Sequence, residues 1–600
     1  MSKHLLALSI GPVQEFIAAA RRTRDLWFGS HLLSELSRAA ATAVKSGQGA
    51  LIFPTAQDAG DDNAAVANVI LAELPEGPNP KDLAKKAKDA VQQCWHKFAD
   101  EAHKAASPNI HEELWNAQLG DVIEFYAAWV PVNGNYKDAR NRVMRLLAGR
   151  KACRDFIQPE GGIEKRRIPK SSLDGRRESV LVRDGTNRLK RGVKGSQALP
   201  LGDGEELDAV GLVKRRGSGG QSYPSVARVA ADPWLRKLAG SDEHREWLEK
   251  LKAECGQLAK RGVLSRVKHT PYDYFPYDGT AIFLSRHASM AKEVDEEPVV
   301  LDELGKIVRK LSQSPSKGGL GEPDPYLALL VADGDRMGAA ISEIKDVDKH
   351  CRLSSQLALF AKQAGKIVAE HFGVCVYSGG DDVLAFLPVD KALECARMLH
   401  DDFGAKLSDF GAKLREFDSP TLSVGIAIGH FMEPLEDLRD YGQRAEKAAK
   451  AATPNSGNVE NIFAERNGLA VQVHPRGGVE FSVREQWENN GQSLDMRLKE
   501  WAELFAAGEL PNKLPYDLRE LARQLKGWSA PAEAVQAETA LLLKRKQAKK
   551  EGRARIGERL RVSDTPQALE RLAQELLVSQ WIAAGLRQSG AIQSKTGKEQ

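Results

Sequence analysis

Cysteine is scarce: six stand in 600 residues, at positions 94, 153, 255, 351, 375 and 395, each alone. With no C-x-x-C pair and no Cys/His spacing of a zinc site, the chain is not a disulfide-stapled module, and no zinc is expected. Buried or incidental thiols in a reducing cytosol are the expectation. Long apolar runs are missing too. The N-terminal run from Leu5 to Ile10 stops at Gly11-Pro12, far short of the roughly 20 residues of a membrane span, which predicts neither signal peptide nor anchor. A cytoplasmic protein with no membrane partner follows. Charge of one sign is lacking as well: 86 Lys plus Arg face 82 Asp plus Glu, a net +4 too small to announce a nucleic-acid partner. Aromatics are only 6%, yet 42% apolar and 28% charged residues describe ordinary globular chain rather than disorder. At roughly 100 to 200 residues per domain, the length allows three to five domains.

Two stretches repeat one outline. HLLALSIGPVQEFIAAARRTRDLWFGS begins as an apolar strand, breaks at Gly-Pro and continues as helix; PYLALLVADGDRMGAAISEI, from Pro325 to Ile344, does the same. The later copy ends its strand with Asp333 and Asp335, whereas the earlier has Ser9, Ile10, Gly11 and Pro12 there. Only the later unit is equipped for metal chemistry. Between them a strand is expected at Phe125 to Gly134 and a basic helix at Tyr136 to Phe156. Glu160 to Gly195 follows, irregular, with 11 basic and 5 acidic residues. Gly- and Pro-rich punctuation at Ser316 to Leu327 marks a linker, and beyond about residue 475 the pattern reads as helical. These shifts divide the chain into 1–145, 146–319, 320–475 and 476–600.

The most informative string is GVCVYSGGDDVLAFLPV, Gly373 to Val389. Two apolar runs flank Ser378-Gly379-Gly380-Asp381-Asp382, the form of a β-hairpin whose turn carries adjacent acids. Two neighbouring carboxylates repel unless a cation neutralises them, and Mg²⁺ takes oxygen ligands while bridging to substrate phosphates. Asp333, on a strand about 48 residues upstream, supplies a further oxygen if that strand lies beside the hairpin. A third apolar strand, Pro420 to Phe431, precedes a helix from Tyr441 to Ala452 that carries Lys447 and Lys450. The resulting β-α-α-β-β-α-β-α order predicts an α+β, ferredoxin-like palm. Such a set suits nucleotidyl transfer, in which metals activate a 3′-hydroxyl and steady the leaving pyrophosphate while lysines hold the phosphates.

ADGDRMG followed by YSGGDDVLAF resembles the second palm of the large signature subunit of type III CRISPR effector complexes, in the Cmr (III-B) branch. SIGPVQEFIAAARRTRDLWFGSHLLS is similar to that family's first, degenerate palm, and VIEFYAAWVPV, LAGRKACRDF, GEELDAVGLVKR and YPSVARVA match in order, over roughly residues 5 to 460. The resemblance implies two nucleotidyl cyclase-like palms, a helical insert and a helical C-terminal domain. It further implies target-RNA-activated synthesis of cyclic oligoadenylates from ATP with Mg²⁺ or Mn²⁺, in company with other Cmr subunits, guide RNA and target RNA. Carried over by residue, it puts metal binding on Asp333, Asp381 and Asp382, with Asp335 a weaker candidate. It puts nucleotide contact on Ser378, Gly379, Gly380, Lys447 and Lys450. Two departures are expected. The first palm strand starts within a few residues of Met1, leaving no room for the HD nuclease domain of many members, and the stretch IPKSSLDGRRES has serines where a cysteine cluster often lies.

Plainer readings compete. Gly60-Asp61-Asp62 has no strand before it and reads as an exposed loop, and His400-Asp401 as a solvated helix pair. Lys544 to Arg561 holds nine basic and two acidic residues, a solvated face or subunit contact as readily as an RNA contact. Within the same class of chemistry, AMP transfer to another small molecule remains open. Beyond it stand a catalytically inactive scaffold and a stand-alone diguanylate cyclase, whose turn would continue acid-Glu-Phe after the glycines.

Overall fold

The computed structural model describes residues 3–61, 65–106, 109–120, 122–153, 168–182, 201, 204–216, 223–293, 296–410, 420–451, 466–487, 492–526, 531–562 and 565–591. Most of the basic segment Glu160 to Gly195 therefore lies outside the described residues, as do Asp62 and the SKTGKEQ end.

Two sheets organise these residues. The first joins β1 (His4–Gly11), β2 (Ala50–Phe53), β3 (Val69–Leu74) and β4 (Glu124–Pro131) in the order β2-β3-β1-β4, all antiparallel. The second contains β5 (Tyr326–Gly334), β6 (Val374–Gly379), β7 (Asp382–Leu387), β8 (Leu422–His430), β9 (Gly468–Val473) and β10 (Phe481–Gln486), in the order β10-β9-β8-β5-β7-β6. In both, the first strand of the unit sits between the third and the fourth and the second lies at an edge, the ferredoxin-like arrangement. Two copies of one α+β plan are present. The expected basic helix after β4 is also there, from Tyr136 to Ala152.

β5 lies at the centre because both its faces are apolar. Ala328, Leu330 and Ala332 pack toward the helices Val347–Glu370 and Ala392–Leu407, with Leu357, Phe360, Leu399 and Phe403. Leu327 and Leu329 face Trp234 and Leu235 of the helix Val226–Ala239. A strand covered on both sides reads as a continuous apolar run, which is why LALLV lacks alternation. Gly442 lets the helix Leu435–Lys450 settle onto the same second face: a Cβ there would fall 2.7 Å from Leu329 Cδ2.

The sheet extends past residue 475, since β10 pairs antiparallel with β9 inside a stretch read as helical. Its pattern, Phe481, Val483 and Glu485 buried between more exposed neighbours, has the period of two of a strand. The following helices do form, and Leu494–Ala506 and Pro566–Ser589 pack into the same core as the second sheet. Buried Arg497 ties them to the sheet, reaching Glu575 at 2.8 Å and Glu485 at 2.5 Å. Part of the basic helix Lys550–Val562 is paired internally, with Arg555 2.8 Å from Glu500. All six cysteines are free thiols. Among the described residues no helix is long and apolar enough to cross a membrane.

Candidate active site

The acidic residues of the second sheet meet at one edge. Ala332 pairs with Val383 across β5 and β7, so the next residues outward, Asp333 and Asp382, flank the same corner. β6 and β7 close with Gly379 opposite Asp382, leaving Gly380 and Asp381 as the two turn residues. Gly380 has φ +68°, which an L side chain rarely adopts and which a two-residue hairpin of this kind demands at its first central position. At Gly334 the demand is steric: a Cβ would lie 2.7 Å from Asp381 Cβ and 2.8 Å from Met337 Cγ. The sequence DGD is thus read physically as strand end, close approach and turn.

The corner is electrostatically loaded. Burial first, then the charge of Asp333, pushes the Asp381 carboxyl up to about 6. Asp382, exposed at the turn though its carboxyl is shielded, is pushed up to about 7 by burial first, then by Asp381 and Asp333. Lys450 answers them. Its Nζ lies 2.7 Å from Asp333 Oδ2 and 2.6 Å from Glu446 Oε1. Burial alone would lower the pKa of this ammonium, but the bonds to Asp333 and Glu446 outweigh it and raise it. Glu446 was not singled out from sequence. Its signal was available, because an acid four residues before a lysine on one helix face is a favoured pair.

Among the described residues no group of three or more His, Cys, Asp or Glu side chains is placed to hold a metal ion by itself. Magnesium needs no such group, since it is commonly held by one or two carboxylates together with substrate phosphates and water. Two repelling carboxylates with raised pKa values beside Asp333 are a donor set that a hard divalent cation relieves, and the residues present fit one.

Three expected site residues are placed otherwise. Asp335 is only 2% exposed and turns toward β8: it accepts from Ser423 Oγ at 2.8 Å, Thr421 Oγ1 at 2.8 Å and the Asn467 amide at 2.9 Å. Its carboxylate is thus committed to protein donors. Ser378 Oγ donates to Ala361 O at 2.7 Å, fastening the hairpin to the helix Val347–Glu370. Lys447 is exposed, and among the described residues no ion pair joins it to the acids.

Elsewhere, Asp61 follows a short 3₁₀ turn at Asp58–Gly60 and accepts from Lys362 Nζ of the second unit at 2.7 Å, while Asp62 lies outside the described residues. His400 is packed, not simply solvated: its ring lies tilted against Trp487 with centroids 4.7 Å apart and meets Asn467 Oδ1 at 2.9 Å. Two surface hollows also lie away from the acidic corner. One is bordered by Pro12, Phe16 and Lys214, the other by Trp247, Lys250 and Ile307.

Comparison with known proteins agrees with this anatomy. Residues 326–457 match the family model for the Cas10/Cmr2 second palm domain, and residues 5–100 match that for the N-terminal region of CRISPR-associated protein Cmr2. The CRISPR system Cmr subunit Cmr2 of Pyrococcus furiosus is 26% identical over 576 residues, 81% of this chain and 63% of the relative, so the chain spans less than two thirds of that protein's length. Two cryo-EM structures of type III-B Cmr-beta, in the apo state and bound to cognate target RNA, each superpose with a TM-score of 0.63 at 14% identity. They cover 97% of this chain and 82% and 83% of theirs, and at that identity the likeness shows the fold.

Proposed function

Because the chain belongs to the Cas10/Cmr2 family, we propose that it is the large subunit of a type III-B CRISPR effector complex and makes cyclic oligoadenylates from ATP when that complex captures target RNA. Its partners are then other Cmr subunits, guide RNA and target RNA; target RNA is the ligand named for one superposable structure. A cytoplasmic setting belongs to the same reading.

The observation that carries the reading is the corner itself: Asp333, Asp381 and Asp382 around one end of the sheet, with Lys450 against Asp333. When bound, Mg²⁺ or Mn²⁺ would neutralise the carboxylates and polarise the α-phosphate of ATP. Asp333 and the hairpin acids hold and orient that charge on a rigid strand end. Lys450 exchanges Asp333 for the triphosphate, for which an ammonium is a suitable point charge. The glycine turn presents bare main chain, so a nucleotide can lie against it without meeting a Cβ at Gly380. In the reaction the 3′-oxygen of one adenylate bonds to the α-phosphorus of the next ATP, the bond from that phosphorus to the β-phosphate oxygen breaks, and pyrophosphate leaves. The 3′-hydroxyl proton passes to solvent water, so no side chain need act as a dedicated base. In the first unit β1 itself carries no acid at the matching end, where Ser9 and Ile10 are buried, and the unit serves as a partner in structure.

The test is to incubate the assembled complex with ATP, GTP and Mg²⁺, with and without matching target RNA, and to weigh the products. Oligoadenylate that depends on target RNA supports the proposal. No nucleotide product would leave only an assembly scaffold, and cyclic diguanylate would replace the substrate.

A further inference from the structure

The acidic corner is held from a distance by the first unit. On the helix Tyr136–Ala152, Arg140 is 2% exposed and extends its guanidinium across to the second unit. Nη1 donates to Ile344 O at 3.0 Å and Nη2 to Ser342 O at 2.8 Å, the carbonyls at the end of the short helix Met337–Ser342. One helical turn away, Tyr136 Oη meets His350 Nδ1 at 2.6 Å in a buried contact at the start of the helix Val347–Glu370. The exposed pair Lys137 and Glu343, 3.1 Å apart, completes the seam.

What Arg140 grips at one end touches the chemistry at the other. Met337, the first residue of that short helix, packs against Gly334 beside Asp381: the position of a Cβ on Gly334 lies 2.8 Å from Met337 Cγ and 2.7 Å from Asp381 Cβ. Only seven residues separate Gly334 from Ser342, and Met337, within that span, makes this contact. Moving the Ser342 end therefore moves the packing under the turn. A two-pronged, buried guanidinium is suited to fixing such a segment because its planar fork sets direction as well as distance.

We propose that Arg140 is a positioning residue for nucleotidyl transfer, through which the first unit sets the geometry of Asp381 and Asp333 in the second. This rests on the catalytic reading above. Contact with substrate is not required of Arg140; its role is to keep the corner within the small tolerance that reacting groups need.

The experiment compares Arg140→Ala, Arg140→Lys and Lys137→Ala in the assembled complex, by amide hydrogen exchange and by ATP turnover. Arg140→Ala is expected to speed exchange across 337–344 and at the 379–382 turn. It should lower kcat on the order of 10- to 100-fold, as small misplacements of reacting groups do. KM for ATP should stay within about two-fold, because ground-state binding is not what is lost, and more Mg²⁺ should be needed for half-maximal rate. Arg140→Lys, with one point charge in place of a fork, should fall between, and it decides the matter if the alanine variant does not assemble. Lys137→Ala should change neither readout, since exposed pairs contribute little. Wild-type exchange at 379–382 in Arg140→Ala, or wild-type kcat and Mg²⁺ dependence, overturns the proposal. Failure of the wild-type complex to make any product would overturn the catalytic reading instead, and the exchange at 379–382 would still decide whether Arg140 positions the turn.

Discussion

Lys450 Nζ lies 2.7 Å from Asp333 Oδ2, joining the end of the last palm helix to the end of the central strand. Glu446, one turn earlier on that helix, holds the same ammonium at 2.6 Å. A cation poised between two carboxylates at the edge of a site can exchange one of them for a phosphate with little loss of pairing, and this gives Lys450 a task that Lys447, exposed and unjoined to the acids, does not share.

Replacing Lys450 by Met keeps length and removes charge. Steady-state kinetics of the assembled complex should show kcat/KM for ATP reduced about ten-fold or more, the scale of losing a charged contact to substrate. Lys447→Ala should stay within about two-fold on the same reasoning. Equal losses in the two variants would contradict the assignment.

The hairpin acids give a pH signature. In the folded chain the carboxyls of Asp381 and Asp382 lie at about 6 and about 7, above their ordinary 3.8. The fold thus favours their protonated forms, so their contribution to stability is most favourable below about pH 4 and is lost as pH rises through 6 to 7, the two titrating as a pair. A divalent cation reverses this by binding the ionised forms. Thermal unfolding should show the gain from Mg²⁺ with a non-hydrolysable ATP analogue to be largest near pH 8 and to shrink below pH 6. The double variant Asp381→Asn, Asp382→Asn should lose that gain and, without cation, be no less stable than wild type at pH 8.

Asp335 should behave as a structural acid. Asp335→Ala leaves Ser423, Thr421 and the Asn467 amide without their acceptor, which is expected to cost about 2 to 4 kcal/mol of stability from unsatisfied buried donors. Chemical denaturation of the purified chain measures it. A metal-ligand role would instead show as lost Mg²⁺ dependence with stability unchanged.

Why some of this was legible and some not follows from the range of the interactions. The hairpin at Gly379–Asp382 announced itself through local rules, a positive-φ glycine between apolar runs, and the strand ending at Asp333 through its unbroken apolar stretch. The second palm likewise followed from element order, whereas the first was given by the resemblance. The hydrogen bonds of Asp335 were not legible because carboxylates two apart look alike in sequence, while its partners Ser423 and Asn467 stand 88 and 132 residues away. Arg140 was hidden for the same reason: its partners are the carbonyls of Ser342 and Ile344, and a main-chain acceptor leaves no mark in a side-chain pattern. β10 was absorbed into a helical reading because its six residues are followed by strongly periodic helices that dominate the stretch.

The central claim is that Asp333, Asp381 and Asp382 together receive a metal–triphosphate. The most direct measurement is electron paramagnetic resonance of Mn²⁺ titrated into the purified chain with a non-hydrolysable ATP analogue. It should be compared with Asp333→Asn and with the Asp381→Asn, Asp382→Asn variant, each checked for native thermal unfolding. The account predicts bound Mn²⁺ in the wild-type chain and its loss in both variants. Mn²⁺ bound equally by all three folded proteins would contradict it.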